Sequence, residues 1–532
     1  MAKYTKSAFA VLLLLSRILS AQTIKWGHEN NSSIPIRAII GSDDQGFYIL
    51  RYARDVSHYG DKPMKDVTLE KYDFSDKQLY TKNIEITETE GKNKKLLIDT
   101  ILYLKDNMVA IAYANDSKDA YAIKIGKDGS VDANKTLIGS VDPSSIVSQN
   151  NLLAANRYCV LVSKDKTKLM AYYVKAKQKK ITVKMLDENL AGQWSQEINP
   201  PVTGDFNFIE SITDGTKAYF LISEEKEKHK TTYSLIRYDN GSNSTKKIEL
   251  NIDNHKPIES FNLDINSSGD VWFTGFYENE TGDGARGCFI MDVDNSGQVK
   301  LNKSAELNTD FLTKFVSQKK VDKGKGIENV NMRNTSVMPD GSVILMAEQF
   351  KGSPFYRTPD MVARSNMNDL NPAHSAFAMT DVEAENRYKD GIVVKITNNG
   401  AIAWSDDIIK DANHNTTSLA KLVCPYGYFI NGTTLYIVYN DNRRYTIKSQ
   451  EDMVKEKDDV KVTWLDAISS DWALSLSSID LASGAVQKKQ IPEEYEKNKA
   501  IIYPELITQS GDNVIMYRSD GKKNQFGQFV IQ

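Results

Sequence analysis

Short apolar runs of five to eight residues dominate the chain, rich in Val, Ile, Tyr and Phe and separated by turns that contain Gly. Runs of that length between turn signals predict antiparallel β structure. The turns recur as Asp128-Gly129, Asp214-Gly215, Ser268-Gly269, Ser296-Gly297, Asp340-Gly341, Asn399-Gly400, Ser483-Gly484 and Ser510-Gly511. Such pairs supply the positive φ angles that tight hairpins require.

The runs fall into a repeated unit. Residues 258–307 read as four strands, A to D: ESFNLDI, VWFTGFY, CFIMDV and QVKLNKSAEL, with Gly turns after A and C. Seven other stretches fit this template, their first strands beginning near Ile36, Ile98, Arg157, Phe206, Val330, Leu419 and Ile501. A repeated four-stranded meander predicts an all-β fold, an eight-bladed β-propeller spanning residues 22–532 as one domain. Seven blades, with one unit misread, is the alternative. The last unit is short by one strand, and residues 23–28 supply a candidate. TIKWGH aligns its Trp26 with Trp194 and Trp404, which stand in the fourth strands of other units. These residues are expected to close the ring as the outer strand of the final blade.

In a propeller blade the A–B and C–D turns share one face of the disc, and the B–C loops and D–A connections share the other. Nearly all the Gly turns fall on the first face. The long insertions fall on the second: residues 307–329, 351–390 and 441–475, with a smaller one at 51–66. Loops this long in a compact domain are usually functional or disordered. The three longest belong to units five to seven, so that sector is expected to be the interaction surface. Its aromatic and Arg residues are the candidate binding groups: Phe355, Tyr356, Arg357, Tyr388, Arg443, Arg444, Tyr445, Trp464 and Trp472. These residue types are enriched at interface hot spots. The plainer reading is that they fasten the loops to the rim. Within 307–329, Phe311, Leu312, Phe315 and Val316 predict a short amphipathic helix, capped by Asn308 or Thr309 and packed down on the disc.

Composition narrows the picture. The chain has 532 residues, 40% hydrophobic and 26% charged, with a formal net charge of −3. That excludes a collagen-like or wholly disordered chain, and it argues against a general nucleic-acid binder. Residues 1–21 read as a signal peptide: Lys3 and Lys6, then the apolar stretch 8–15, then Leu19-Ser20-Ala21 before Gln22. That stretch is far short of the roughly 20 residues that span a bilayer, and no later run approaches it. The expected location is therefore the periplasm or the medium, with no transmembrane segment in the mature chain. Cys159, Cys288 and Cys424 are widely spaced in strand-like contexts and read as free thiols rather than a metal site.

Catalytic and cofactor signatures are missing. There is no GxSxG elbow, HExxH helix, Walker loop or GxGxxG turn, so no cofactor is implied. Asp292-Val293-Asp294-Asn295-Ser296-Gly297 opens like a calcium loop, but Lys303 stands where the closing acid belongs. A plain hairpin is the better reading. Acids at the inner strands, Glu210 and Asp264, are candidates for glycoside chemistry.

Four stretches, 162–198, 273–294, 339–350 and 390–410, taken in that order, resemble a family of exported, uncharacterised proteins of Bacteroidota. The resemblance implies a Gram-negative envelope or secreted location. It implies no activity, so no residue roles come with it. Two functions are expected from the whole reading. The first is a non-enzymatic scaffold that docks an envelope or secretion-associated protein through its long-loop face. The alternative is a carbohydrate-active propeller that binds or cleaves glycan in its central funnel.

Overall fold

The computed structural model describes residues 23–31, 36–53, 64–87, 96–114, 119–140, 158–175, 178–204, 206–227, 230–252, 256–279, 283–351, 386–414, 423–442, 463–464, 472–490, 500–520 and 522–530. Residues 1–21, expected from the sequence to be a signal peptide, lie outside them.

Eight antiparallel sheets follow one another along the chain, and together they make an eight-bladed β-propeller. The inner A strands are Ile36–Asp43, Leu96–Tyr103, Cys159–Val162, Asn207–Thr213, Ile258–Ile265, Val330–Val337 and Gly427–Asn431 for blades 1 to 7. Blade 8 opens with Ile501–Ile502, a 3-10 turn at Pro504–Leu506, and Thr508–Ser510. Blade 7 therefore starts eight residues later than the sequence pattern suggests, and Leu419 itself lies outside the described residues. The seven-blade alternative is set aside, because each of the eight sequence units forms its own sheet.

The apolar residues form slabs between neighbouring blades rather than one central core. One cluster joins blades 1 and 2, the next blades 2 and 3, and so on around the disc. A further cluster packs Ile36, Phe47 and Tyr72 of blade 1 against Leu506, Ile515, Tyr517 and Phe526 of blade 8, completing the circle. Between blades 4 and 5, Tyr233 of blade 4 packs on Phe261 of blade 5 with ring centroids 5.5 Å apart, and Phe261 packs in turn on Phe273 at 5.2 Å. Each fully buried side chain of this size contributes roughly 1.5–3 kcal/mol, so the slabs hold the ring together. The B strands carry the largest share. Val271–Glu278 in blade 5 is buried along almost its whole length, whereas the outer strand Val299–Glu306 is mostly open to solvent.

The ring closes as the Trp26 alignment predicts. Thr23–Trp26 pairs antiparallel with Lys523–Val530, from Thr23 opposite Val530 to Trp26 opposite Gly527. Ile24 is buried, and the Arg518 guanidinium lies 4.2 Å from the centre of the Trp26 ring. Asn30–Asn31 extends the pairing to Asn524 and Lys523.

The Gly turns do the work expected of them. In blade 5, Gly269 (φ +81°) and Gly297 (φ +79°) complete the A–B and C–D turns. Asp294 holds the second turn: its Oδ1 accepts from the backbone N–H of Ser296 (2.8 Å) and of Gln298 (2.9 Å). The calcium-like motif is thus a hairpin whose acid is consumed by its own turn. Asp128, Asp340 and Asp480 behave alike. A seryl hydroxyl donates to each, which with backbone N–H bonds holds them below the usual carboxylate range.

The connection from blade 5 to blade 6 forms two short helices, α1 (Thr309–Thr313) and α2 (Gln318–Val321). Asn308 is the cap of α1, its Oδ1 accepting from the Phe311 N–H at 2.7 Å. Phe311 and Leu312 are buried against the blade 5–6 slab, so this segment is packed down. Replacing Asn308 by Ala should cost about 1 kcal/mol, read as a lower urea midpoint and faster amide exchange across 309–316.

Candidate functional site

The two faces of the disc differ in kind. The turn face is built from short Asp- and Gly-bearing turns, several of whose acids accept from their own turn's N–H and hydroxyl groups. It holds a polar crevice of about 470 Å³ between blades 1 and 2, lined by Asp43, Asp44, Gln45, Lys71, Tyr80 and Asp128 among others. Asp43 there is already occupied, accepting from the Tyr48 hydroxyl (2.5 Å) and from Lys71 (2.9 Å). The crevice is a packing feature of the turns.

The opposite face carries the insertions, and two of them meet. In blade 6, strand B (Val343–Lys351) and strand C (Asn386–Ile396) run past the disc as a two-stranded extension, with Phe350 opposite Tyr388 and Lys351 opposite Arg387. Ala412–His414, just beyond strand D, pairs with that extension, Tyr388 opposite Ala412. Thr463–Trp464, from the insertion of blade 7, then adds in parallel, Ala412 opposite Thr463 and Asn413 opposite Trp464. A small sheet thus joins the insertions of two blades that sequence reading treats as separate loops.

Beneath this sheet lies a buried ionic cluster. Lys410, which follows strand D of blade 6, is fully buried. Its ammonium pairs with the Glu348 carboxylate and donates to the Cys424 carbonyl at 3.0 Å, and its ring neighbour is Tyr388, 5.8 Å to the centroid. Arg333 approaches Glu348 at 3.8 Å and pairs with Glu505 of blade 8, crossing the inner edge of blade 7 near Tyr426. Burial pushes the Glu348 carboxyl up, against the pull of Lys410 and Arg333. Asn440 adds neutral ties, donating to the carbonyls of Val423 (2.8 Å) and Ile502 (2.9 Å) and so linking blades 7 and 8. At the base of the extension, Arg387 makes a two-pronged pair with Asp411. The cluster and the Asn440 ties together fix the root of the insertions to three blades.

The inner strands show a second regularity. Five A strands bulge opposite strand B, with six extra residues: Arg37 and Ile40 in blade 1, then Asp99, Ile209, Glu259 and Arg333. Four of the six are charged, and Ile40 and Ile209 are apolar. A β-bulge re-aims one side chain, and here it frees a charged group from the alternation that would drive it into an apolar slab. At the turn-face end, Lys164 of blade 3 reaches past blade 4 to Asp264 of blade 5 at 3.0 Å. Asp264 is therefore neutralised by a partner, and Glu210 is buried.

Of the residues singled out from the sequence, Tyr388 is buried under the extension, its ring 4.7 Å from Phe350. It anchors the insertion from below rather than standing on its surface. Trp464 lies on the strand added from blade 7, and Trp472 opens strand C of that blade opposite Asn442. Phe355, Tyr356, Arg357, Arg443, Arg444 and Tyr445 lie outside the described residues. Sequence reading missed Glu348, Lys410, Arg333 and Glu505. The signal for two of them was present, since Glu348 interrupts an apolar B strand and Lys410 ends an apolar run.

The fold and this site define a β-propeller whose blades 6 and 7 share an inserted sheet on one face. No protein-family model matches the chain, and no curated protein does. Among solved structures, the polysaccharide lyase Uly1 aligns at 8% identity and a TM-score of 0.37, covering 96% of this chain and all of that one. An oligogalacturonate lyase in complex with manganese aligns at 10% identity and 0.33, covering 84% and 96%. The β-propeller domain of the trilobed protease from Pyrococcus furiosus, described as having an open velcro topology, gives 10% and 0.33, covering 81% and 95%. Likenesses this distant carry no argument about the chemistry of this chain.

Proposed function

We propose that this chain is an exported, non-enzymatic scaffold that docks an envelope or secretion-associated protein through the face bearing the insertions of blades 5 to 7. One observation carries the reading. Insertions from two blades are paired into a single sheet, and that sheet is rooted in an ionic cluster that joins blades 6 and 8. A rigid scaffold that fixes the geometry of variable loops suits recognition. The trimmed turn face offers nothing comparable. The charged groups seen near the channel are largely consumed by structure, Asp264 by Lys164 and Glu348 by Lys410.

The test is an affinity pull-down of the tagged chain from solubilised native envelopes, with mass spectrometry. A stoichiometric partner should be captured by the natural chain. It should be lost when residues 352–385 or 443–462 are replaced by a short Gly/Ser linker, and kept when the blade 5 turn at Asp294-Asn295-Ser296-Gly297 is altered. A partner that survives both replacements would move the docking surface elsewhere. Glycan retention with no protein partner would favour the carbohydrate reading.

A further inference from the structure

The closing strand is fastened at a place where a carboxyl group is buried against backbone. Asp76 sits in the C–D turn of blade 1, at φ +68°, with its N–H bonded to the Asp73 carbonyl at 3.0 Å. The residue is 9% exposed, and its side chain lies on Gly27, just past the end of Thr23–Trp26. The contact is close enough that a Cβ at position 27 would fall 1.9 Å from Oδ2, so Gly is required there. Neither carboxyl oxygen is in a well-formed hydrogen bond. Gly27 is itself held in blade 8, its N–H donating to the Phe526 carbonyl at 2.9 Å. The Asp76 carboxyl therefore sits at the seam where blade 1 meets the strand that closes blade 8.

We propose that Asp76 is a pH-sensitive latch on ring closure: its neutral carboxylic acid lets the seam pack, and its ionised form loosens Thr23–Trp26 from blade 8. An ionised carboxylate buried without adequate partners is costly, and the protein relieves that cost either by protonating the group or by exposing it. Exposure here means lifting the closing segment. Burial raises the Asp76 carboxyl to about 7, with the Asp73 charge adding to the rise and a backbone contact from His28 opposing it.

The other charged groups around the seam do not substitute for it. From the turn come Asp73, already held by Ser75, and the exposed Lys77. From the closing segment come Lys25, His28 and Glu29, all exposed. From blade 8 come Arg518, which stacks on Trp26, and Lys523, which pairs with Glu29 at 2.6 Å. The sign follows from linkage. The closed ring binds a proton that the open seam releases, so closure is strongest at acid pH. It weakens as pH rises from the free-carboxylate range toward 7 and is weakest above that.

The measurement is hydrogen exchange of peptides covering residues 23–31 and 523–530, corrected for the intrinsic pH dependence of exchange. Protection should fall by about tenfold or more between pH 5 and pH 8, while the blade 5 strand Val271–Glu278 stays unchanged. Asp76→Asn should keep the acid-level protection at pH 8. His28→Gln should leave the fall intact. A natural chain with pH-independent protection would overturn the proposal, and this arm needs no variant. So would an Asp76→Asn chain that keeps the fall, or a His28→Gln chain that abolishes it.

Discussion

Replacing Lys410 by Met is expected to destabilise the protein by about 3–5 kcal/mol, because it leaves the buried Glu348 carboxylate without its ammonium partner. Met keeps the volume of the aliphatic stem, so the loss reads out charge rather than a cavity. The Cys424 carbonyl also loses its donor. Arg333, at 3.8 Å from Glu348 and shared with Glu505, compensates only in part. Urea unfolding gives the magnitude. The double variant Lys410→Met, Glu348→Leu should recover most of the loss, since a well-packed apolar pair often matches a buried ion pair. The damage should be local. Hydrogen exchange should rise first at 386–388 and 412–414, the strands rooted on the cluster, and only later in blades 1 to 4. A Lys410→Met chain as stable as the natural one would mean that Glu348 is protonated and that the cluster holds no ion pair.

A chain beginning at residue 32 should lose about 4 kcal/mol and become prone to association. Its final blade would lose the strand paired with Lys523–Val530 and the burial of Ile24 and Trp26. The stripped strand would then present an unpaired edge, a ready template for another chain. The expected signature is a lower unfolding midpoint together with concentration-dependent aggregation. A synthetic peptide of residues 22–31 added in trans should restore both. An unchanged midpoint in the shortened chain would show that the slab between blades 8 and 1 closes the ring without help, which its aromatic content makes the chief competing explanation.

The repeat was legible because each blade is a local object. Strand A of blade 5 ends at a Gly turn, its B strand is a run of apolar residues, and its D strand is polar. All three features follow from burial within the blade itself, where the B strand is covered and the D strand is not. Closure was legible for a related reason. Trp26 stands in an outer-strand pattern that Trp194 and Trp404 also carry, and the final unit was one strand short. The start of blade 7 was misplaced because the segment before Gly427 is apolar like a strand. It contributes Val423 and Cys424 to a small satellite cluster instead.

The candidate site was legible only as a sector. Loop length and the position of insertions in the A-to-D order point to one face of blades 5 to 7, since loop placement follows from strand order alone. What the loops build together does not follow from strand order. Tyr388 and Trp464 fall in one sheet because Ala412–His414 lies between them, a pairing between segments about 50 residues apart with no turn signal to announce it. The same holds for Arg333 with Glu505 and for Asp76 under Gly27, whose partners come from different blades. The sequence by itself determined the blade, the candidate for closing the ring and the face that carries the insertions, because each is written in short-range periodicity; it left seven blades open beside eight, and the separate sheets decided for eight. Only the tertiary structure decided which charges are buried and with whom, because burial and pairing depend on where the ring brings distant segments together.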